Sequence, residues 1–269
     1  MSKTRQTRAS AVTVLLLTAG VLAGCSTVQE TGRRQFIIVS PGEEMQLGLT
    51  AFEQMKKETP ISREPKINAM VQRVGQRVAA VADLPGAQWE FVVFESKEPN
   101  AFCLPGGKVG IYTGILPITR DEAGLATVIS HEVAHASKRH GAERMSRAMV
   151  RQTGGELAGQ YLGGKEGQYQ GAVQQVYGIG IQLVEALPHS RTQETEADQV
   201  GLLYMAKAGY DPEAAIGFWQ RFAEFNQQTG QASTGLQRYL RTHPTDDQRI
   251  RDLQAWLPRA KAAMPSEAP

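Results

Sequence analysis

One helix near the middle of the chain constrains the fold more than any other feature. Its apolar residues recur at helical spacing and form a single stripe: Leu125, Val128, Ile129 and Val133. Thr119-x-x-Glu122 has the pattern of a capping box, which predicts that the helix begins there. The stripe predicts a buried helix, although residues 131–135 within it read His-Glu-Val-Ala-His.

The two histidines of this helix have the spacing of a metal site. His131 and His135 are four residues apart, so both imidazoles lie on one helix face, close enough to share one ion. Glu132 lies beside them and can reach a water molecule bound to that ion. The alternative is a surface helix with two unrelated histidines.

A catalytic zinc ion needs three protein ligands and one open position for water, so a third ligand must come from elsewhere. Glu194 and Asp198 share one face of another predicted helix. We expect Glu194 to bind zinc and Asp198 to accept a hydrogen bond from the free ring nitrogen of a histidine ligand. Glu196 lies on another face and is expected to be solvated. Without the histidine pair, an ordinary charged helix would be the default interpretation of this segment.

The remaining segments predict an α+β fold that is mostly helical. Further helices are expected from Ser40-Pro41 to about residue 57, over residues 67–81, and from Ser190 and Asp211-Pro212 onward. Strands are expected over residues 89–94, 101–104 and 109–113, and the last two flank a Pro-Gly-Gly turn as a hairpin. The strands predict a small antiparallel sheet beside the helix with the two histidines. Seven glycines within residues 154–171 predict either a lid over the cleft or a plain surface insertion.

The first 24 residues have the pattern of a lipoprotein signal. Basic residues precede an apolar stretch, residues 11–22, that is too short to span a bilayer comfortably. Leu22-Ala23-Gly24-Cys25 resembles a bacterial lipobox, which predicts lipidation of Cys25 and stable membrane anchoring. The alternative is an ordinary signal peptide with an incidental cysteine. Ser26 stands where an aspartate usually retains a lipoprotein in the inner membrane, so the outer membrane, facing the periplasm, is expected.

Composition excludes several classes of protein. With 41% hydrophobic and 21% charged residues, the chain has the profile of a soluble globular protein rather than a disordered chain, a fibre or a polytopic membrane protein. The formal net charge is +2 and becomes −1 without the first 24 residues, so the mature chain would carry no strong electrostatic footprint for nucleic acid. Two cysteines, Cys25 and Cys103, exclude a disulfide scaffold and a zinc site made of cysteines alone.

In combination, these motifs resemble peptidase family 48 of the zinc metallopeptidases. That family includes the CAAX prenyl proteases, HtpX, the mitochondrial Oma-type proteases and the periplasmic lipoproteins BepA and LoiP. Besides the histidine pair and Glu194-x-x-x-Asp198, three segments carry the resemblance: residues 100–107, residues 113–116, and His243-Pro244 with Arg249. It covers residues 32–257. The sequence shows no tetratricopeptide repeats of the BepA type, so a shape closer to that of LoiP is expected.

The resemblance implies a gluzincin-type zinc metallopeptidase domain, expected over residues 40–269. The N-terminal residues predict a signal peptide over 1–24 and a lipid-anchored tether over 25–39 before it. It implies one zinc ion bound by His131, His135 and Glu194. Glu132 would be the general base and then the proton donor, and Asp198 would orient a ligand.

The resemblance also implies residues that contact the substrate. Asn100, His243 and Arg249 match positions that contact substrate or the transition state. His243 also matches a histidine that can occupy the open zinc position and inhibit the enzyme, and both roles stay open; a plain loop before the last helix is a third reading. Ala101 and Phe102, next to Asn100, are expected to offer an edge strand to an extended substrate.

Three nearby residues are expected to have minor roles. Cys103 is expected to be a small buried hydrophobe, with zinc ligation as the alternative. His140 is five residues past His135, about 140° around a continuous helix, and is expected to face away from the metal. His189 is expected to lie in a loop.

The expected function is that of a zinc-dependent endopeptidase of the bacterial cell envelope that cleaves unfolded or misassembled proteins. An envelope chaperone or assembly factor with a structural or self-inhibited zinc site is the alternative. A third reading is a passive membrane-tethered binding module, which would need no stoichiometric metal. The predicted partners are protein substrates and, through the lipid, the membrane, but no nucleic acid.

Overall fold

The computed structural model describes residues 25–163, 189–229, 243 and 247–266. The signal peptide predicted over residues 1–24 lies outside the described residues. So does the predicted lid over residues 154–171, apart from the helical backbone of residues 154–163. Among the helices of the described ranges, none combines the length and the apolar character needed to cross a membrane.

Helices make up most of the described chain, as the sequence predicts. They are α1 (Pro41–Glu58), α2 (Pro65–Ala79), α3 (Leu116–Thr119), α4 (Glu122–Ser137), α5 (His140–Gly163), α6 (Arg191–Lys207), α7 (Ala214–Thr229) and α8 (Asp247–Lys261). The strands are β1 (Cys25–Thr27), β2 (Arg34–Phe36), β3 (Glu90–Phe94), β4 (Ala101–Leu104) and β5 (Lys108–Tyr112).

Local capping signals fix two of the helix starts that matter for the site. Ser40 and Ser190 are N-caps of α1 and α6, and each forms a complete capping box with the residue three positions later. Both predicted starts are confirmed. A capping box restrains the backbone of the first helical turn, so the first residues of α6 have a fixed orientation.

The start of α4 differs from the prediction. Its N-cap is Asp121, whose carboxylate accepts a hydrogen bond from the backbone of Gly124 at 2.8 Å. Thr119 instead ends α3, and its hydroxyl donates to the carbonyl of Leu116 at 3.0 Å. Arg120, with a φ of 66°, separates the two helices. Thr119 is therefore not the N-cap of α4, because the chain makes a further turn at Arg120 before α4 begins.

The three-stranded sheet is mixed, whereas the strand pattern predicted a purely antiparallel one. β4 and β5 form the predicted antiparallel hairpin, but β3 pairs with β5 in parallel, in the order β3-β5-β4. The turn between β4 and β5 uses Gly106 and Gly107, with φ of 84° and 80°. This tight turn brings β5 back into the slot between β3 and β4, so β5 runs in the direction of β3. β4 is left at the edge of the sheet.

Helix α4 forms the centre of the core. Residues 124–136 are all buried, and the helix packs against α2, α6, α7 and β4. The contact with α6 is unusually close at Gly201, where an added Cβ would lie 3.1 Å from the backbone nitrogen of His131. Glycine at this position lets the backbones of α4 and α6 approach each other. The polar side chains that α4 and α6 carry on their facing sides therefore lie close to each other.

The segment before α1, where the sequence shows no periodicity, is ordered and packed. β1 and β2 form an antiparallel hairpin in which Cys25 pairs with Phe36. Val28, Ile37 and Val39 are buried, and the last two pack with Ala142 of α5. Residues 37–39 thus pack against α5.

Candidate active site

Four buried side chains converge on one point beside α4. His131 and His135 project from α4, Glu194 projects from the first turn of α6, and His243 comes from the chain before α8. His135 Nε2 lies 3.1 Å from His131 Nε2 and 3.2 Å from Glu194 Oε1. His243 Nδ1 lies 3.2 Å from His131 Nε2 and 3.1 Å from Glu194 Oε1. The cluster places one donor atom of each residue within 4.8 Å of the others.

The spacing of these atoms fits a zinc ion. Ligand atoms about 2.0–2.1 Å from a tetrahedral zinc lie about 3.3 Å from one another. The four separations given above are 3.1–3.2 Å, and His131 Nε2 lies 3.5 Å from Glu194 Oε2. Imidazole nitrogen and carboxylate oxygen are also the donor types that zinc prefers. The residues present therefore match the metal in both distance and chemistry.

Burial and ion pairing set the charge of the cluster. Burial raises the pKa of Glu194, but the charges of His243 and Arg249 outweigh it and hold this pKa well below its usual range. Burial lowers the pKa of His135 well below its usual range. Burial also lowers the pKa of His131, but hydrogen bonds to Asp198 and Glu194 outweigh it and raise the pKa to about 9. An ionised carboxylate thus stands among imidazoles, of which His131 must lose a proton when it binds a cation.

Asp198 orients His131 and is itself held by Arg249. Asp198 Oδ1 lies 3.0 Å from His131 Nδ1, which leaves Nε2 of that ring directed at the cluster. Arg249 donates to both oxygens of Asp198, at 2.7 and 2.8 Å, and its Nη1 lies 3.1 Å from Glu194 Oε2. Its guanidinium lies 3.5 Å from the centre of the Trp219 ring. Arg249 therefore links the two carboxylates of α6 and is locked in place by an aromatic ring.

Glu132 faces a cleft that opens beside the cluster. Its Oε1 lies 3.6 Å from His243 Nε2, and both residues line the cleft together with His135. Residues 100–103, on and just before the strand β4, also line the cleft. The cleft thus brings the carboxylate of the His-Glu-x-x-His motif and a strand edge to the same space.

The predicted substrate-binding residues lie along this cleft but differ in what they present. Asn100 and Ala101 line it, and Asn100 Oδ1 accepts a hydrogen bond from the Ala101 backbone at 2.9 Å. The ring of Phe102 packs against Phe52, Phe94 and Tyr112 in a second small core. Phe102 therefore supports the strand from behind, and its backbone is the part suited to pairing with a substrate.

Two expectations from the sequence are wrong, those for Glu196 and His140. Glu196 is buried, not solvated, and His140 Nε2 lies 2.9 Å from its Oε2. His140 does not face away, because its Nδ1 lies 2.8 Å from Nδ1 of the ligand candidate His135. The continuous helix assumed for His140 ends at Ser137, and Arg139 has a φ of 55°, which redirects the chain. No local pattern signals this turn.

The remaining partners of Glu196 come from a distant part of the chain. Arg33 Nε donates to Glu196 Oε2 at 2.8 Å, and the hydroxyl of Thr31 also donates to this carboxylate. Burial raises the pKa of Glu196, but the hydrogen bonds to His140, Arg33 and Thr31 outweigh it and lower the pKa to about 2. Residues 31–33 therefore cover the face of α6 that carries Glu196. The sequence pattern could not reveal this contact between distant segments.

Cys103 and His189 complete the surroundings. Cys103 is buried, as predicted, and burial raises the pKa of its thiol. Within the described residues, two groups of side chains lie close enough to share a metal ion, the cluster above and a second group of His135, His140 and His189. Cys103 belongs to neither. His189 precedes α6, as a loop residue should, but its ring lies 3.8 Å from that of His135 and it contacts Arg144. His189 is thus a cleft residue, which its expected place in a loop did not indicate.

Comparisons with known proteins agree with this geometry. Residues 65–257 match the model of peptidase family M48. The mitochondrial metalloendopeptidase OMA1 of Schizosaccharomyces pombe is 35% identical over 236 residues, which cover 86% of this chain and 66% of that protein. OMA1 of Saccharomyces cerevisiae is 33% identical over 242 residues, covering 85% and 68%.

A bacterial relative is more distant but aligns over more of the chain. The beta-barrel assembly-enhancing protease of Escherichia coli is 24% identical over 261 residues, covering 92% of this chain and 52% of that protein. The chain thus spans about two thirds of the length of the two fungal relatives and about half of this bacterial one. The family match and the identity to OMA1 place the chain in one family: it belongs to the metallopeptidases of peptidase family M48.

Proposed function

We propose that this protein is a zinc-dependent endopeptidase of the bacterial cell envelope that cleaves unfolded or misassembled envelope proteins. One observation carries the proposal. The donor atoms of His131, His135 and Glu194 meet at zinc-like distances, and Glu132 lines the cleft that opens beside them.

In this proposal each side chain of the site has one task. His131, His135 and Glu194 hold the zinc ion, which, when bound, polarises a peptide carbonyl and acidifies water. Glu132 removes the proton of the attacking water and then delivers it to the leaving nitrogen. Asp198 keeps His131 in the tautomer that a ligand requires. Because Arg249 is engaged by Glu194, Asp198 and Trp219, we assign it the task of holding the ligands.

The edge strand supports the proposed class of substrate. Among the residues that the structure describes, β4 pairs with β5 alone, and residues of β4 line the cleft. An extended polypeptide can add to such an edge through main-chain hydrogen bonds, which depend little on side-chain identity. Chains that have lost or not yet gained their fold offer such segments. The bacterial relatives are named beta-barrel assembly-enhancing proteases, which supports an envelope role here.

The envelope location rests on the N-terminal sequence. We propose that Cys25 is lipidated and that the protein faces the periplasm from the outer membrane. Cys25 is exposed, as an acylated residue must be. Mass spectrometry of the protein purified from membranes would detect the acyl chains on the peptide that begins at Cys25.

The proposed activity is tested with the purified chain and an unfolded protein. We expect the zinc-loaded protein to cleave casein and to leave a tightly folded protein of similar size intact. A chelator should stop cleavage, and zinc in slight excess over the chelator should restore it. Cleavage that continues after the metal has been removed to below 0.1 equivalents, a threshold of about one tenth occupancy, would contradict the proposal.

A self-inhibited site is the second candidate, and the position of His243 favours it. Its Nδ1 lies 3.2 Å from His131 Nε2 and 3.1 Å from Glu194 Oε1, at the corner of the cluster that a catalytic site keeps open for water. A zinc ion bound here would have four protein ligands. We therefore propose that His243 closes the site in this conformation and must withdraw for catalysis.

Replacing His243 with alanine tests that role. The variant His243→Ala should still bind one zinc ion and should cleave casein faster than the wild type, because the fourth position is then always open. Turnover of casein and zinc content are measured on the same preparation, with Gln248→Ala, an exposed position of α8, as the control. A fall in turnover with zinc retained would show that His243 assists the reaction instead.

A further inference from the structure

A continuous chain of polar contacts runs from the N-terminal segment to the back of His135. His140 Nδ1 lies 2.8 Å from His135 Nδ1, and His140 Nε2 lies 2.9 Å from Glu196 Oε2. Arg33 holds Glu196 with its Nε at 2.8 Å and its Nη2 at 2.7 Å. We propose that Arg33, Glu196 and His140 are positioning residues that fix the tautomer and orientation of His135 for zinc, so that residues 31–33 belong to the metal site.

The metal site sets the direction of each hydrogen bond in this series of contacts. To bind a cation through Nε2, His135 must carry its proton on Nδ1. That N–H then donates to His140 Nδ1, which has to be an acceptor. The proton of His140 is therefore on Nε2, where it donates to Glu196. The carboxylate of Glu196 has no proton to donate and can only accept this hydrogen bond. The donor and acceptor roles are therefore consistent from His135 through His140 to Glu196.

The carboxylate needs the N-terminal segment because it is buried. A buried carboxylate is stable only when its oxygens are paired, and a single imidazole does not suffice. Arg33 supplies the charge and Thr31 a second donor. Arg33 is in turn fixed by Glu143 of α5, at 2.9 Å, and Glu143 accepts from Gln193 of α6 at 2.8 Å. Residues 31–33 thus hold polar groups of two helices, α5 and α6, in place behind His135.

The two candidate histidine ligands are supported in the same manner. Behind His131 stands Asp198, held by two donors of Arg249. Behind His135 stands His140, followed by Glu196 held by two donors of Arg33. The contacts behind each of the two rings thus end at a carboxylate that is paired with an arginine. Support of this kind typically changes metal affinity 10- to 100-fold when removed.

Zinc affinity measured on the metal-free chain tests the inference, which rests on the proposed zinc site. The variants are Glu196→Gln, which keeps size and removes charge, and Arg33→Ala, with Arg33→Lys as the conservative replacement. Glu30→Gln is the matched control, since Glu30 pairs with Lys138 at 2.7 Å on the same segment but outside the chain of contacts. Zinc Kd is measured by competition with a coloured chelator, and the Tm of each metal-free variant is measured in parallel.

We expect Glu196→Gln and Arg33→Ala to weaken zinc binding about 10- to 100-fold. Arg33→Lys should recover part of the loss, and Glu30→Gln should bind zinc like the wild type. If Arg33→Ala does not fold, Glu196→Gln and Arg33→Lys decide. Zinc binding by Glu196→Gln within twofold of the wild type would overturn the inference, even with a lowered Tm, because the contacts would then be structural only. A wild type that binds no zinc would instead refute the proposed function.

Discussion

Replacing Glu132 with glutamine is expected to lower kcat for casein or a peptide substrate about 10²- to 10⁴-fold, while one zinc ion per chain remains bound. Glutamine has nearly the same shape, so the buried position beside His243 is filled as before. It cannot accept the proton of water or return one to the leaving nitrogen. The loss therefore falls on kcat, and KM and zinc content should change little.

The control for this variant is Glu122→Gln, the same chemical change in the first turn of the same helix. Glu122 pairs with Arg73 at the protein surface and lies outside the cleft. It should retain wild-type turnover. Cleavage by Glu132→Gln at more than a tenth of the wild-type rate, in a preparation free of other proteases, would remove Glu132 from the mechanism.

Replacing Glu194 should abolish both zinc binding and activity. Glu194→Gln keeps the shape but removes the negative charge that draws the cation and that faces His131, His243 and Arg249. We expect zinc affinity to fall by more than the 10- to 100-fold typical of residues behind the ligands, because a direct ligand is lost. Zinc content after dialysis and casein turnover both report this loss.

Folding is controlled for separately, since a buried charge is being removed. Far-ultraviolet circular dichroism should show wild-type helix content for the variant. Glu213→Gln, an exposed residue paired with Lys261, serves as the control and should bind zinc normally. A Glu194→Gln protein that is folded, holds one zinc ion tightly and cleaves casein would show that the third ligand is another residue.

The parts of the site that could be predicted from sequence are those that one helix defines by itself. The spacing of His131 and His135, and that of Glu194 and Asp198, sets which side chains share a helix face before any tertiary contact forms. Capping boxes at Ser40 and Ser190 fixed helix starts in the same local manner.

The parts that could not be predicted depend on contacts between distant segments. Burial of Glu196 results from Arg33, which is 163 residues away in the sequence. The position of His140 depends on the turn at Arg139, where a non-glycine residue adopts a left-handed conformation that its sequence does not announce. The parallel pairing of β3 with β5 is likewise a contact between two segments, which the residues of β3 alone do not determine.

The hairpin of β1 and β2 limits where the enzyme can work. Cys25, the first residue that the structure describes, is already paired with Phe36, and the segment that follows is held against α5 and α6 by buried ion pairs. If Cys25 carries a lipid, as proposed, no slack separates the bilayer from the catalytic body. The cleft would then be accessible only within a thin layer of periplasm next to the lipid headgroups. A polypeptide would have to enter that layer to be cleaved.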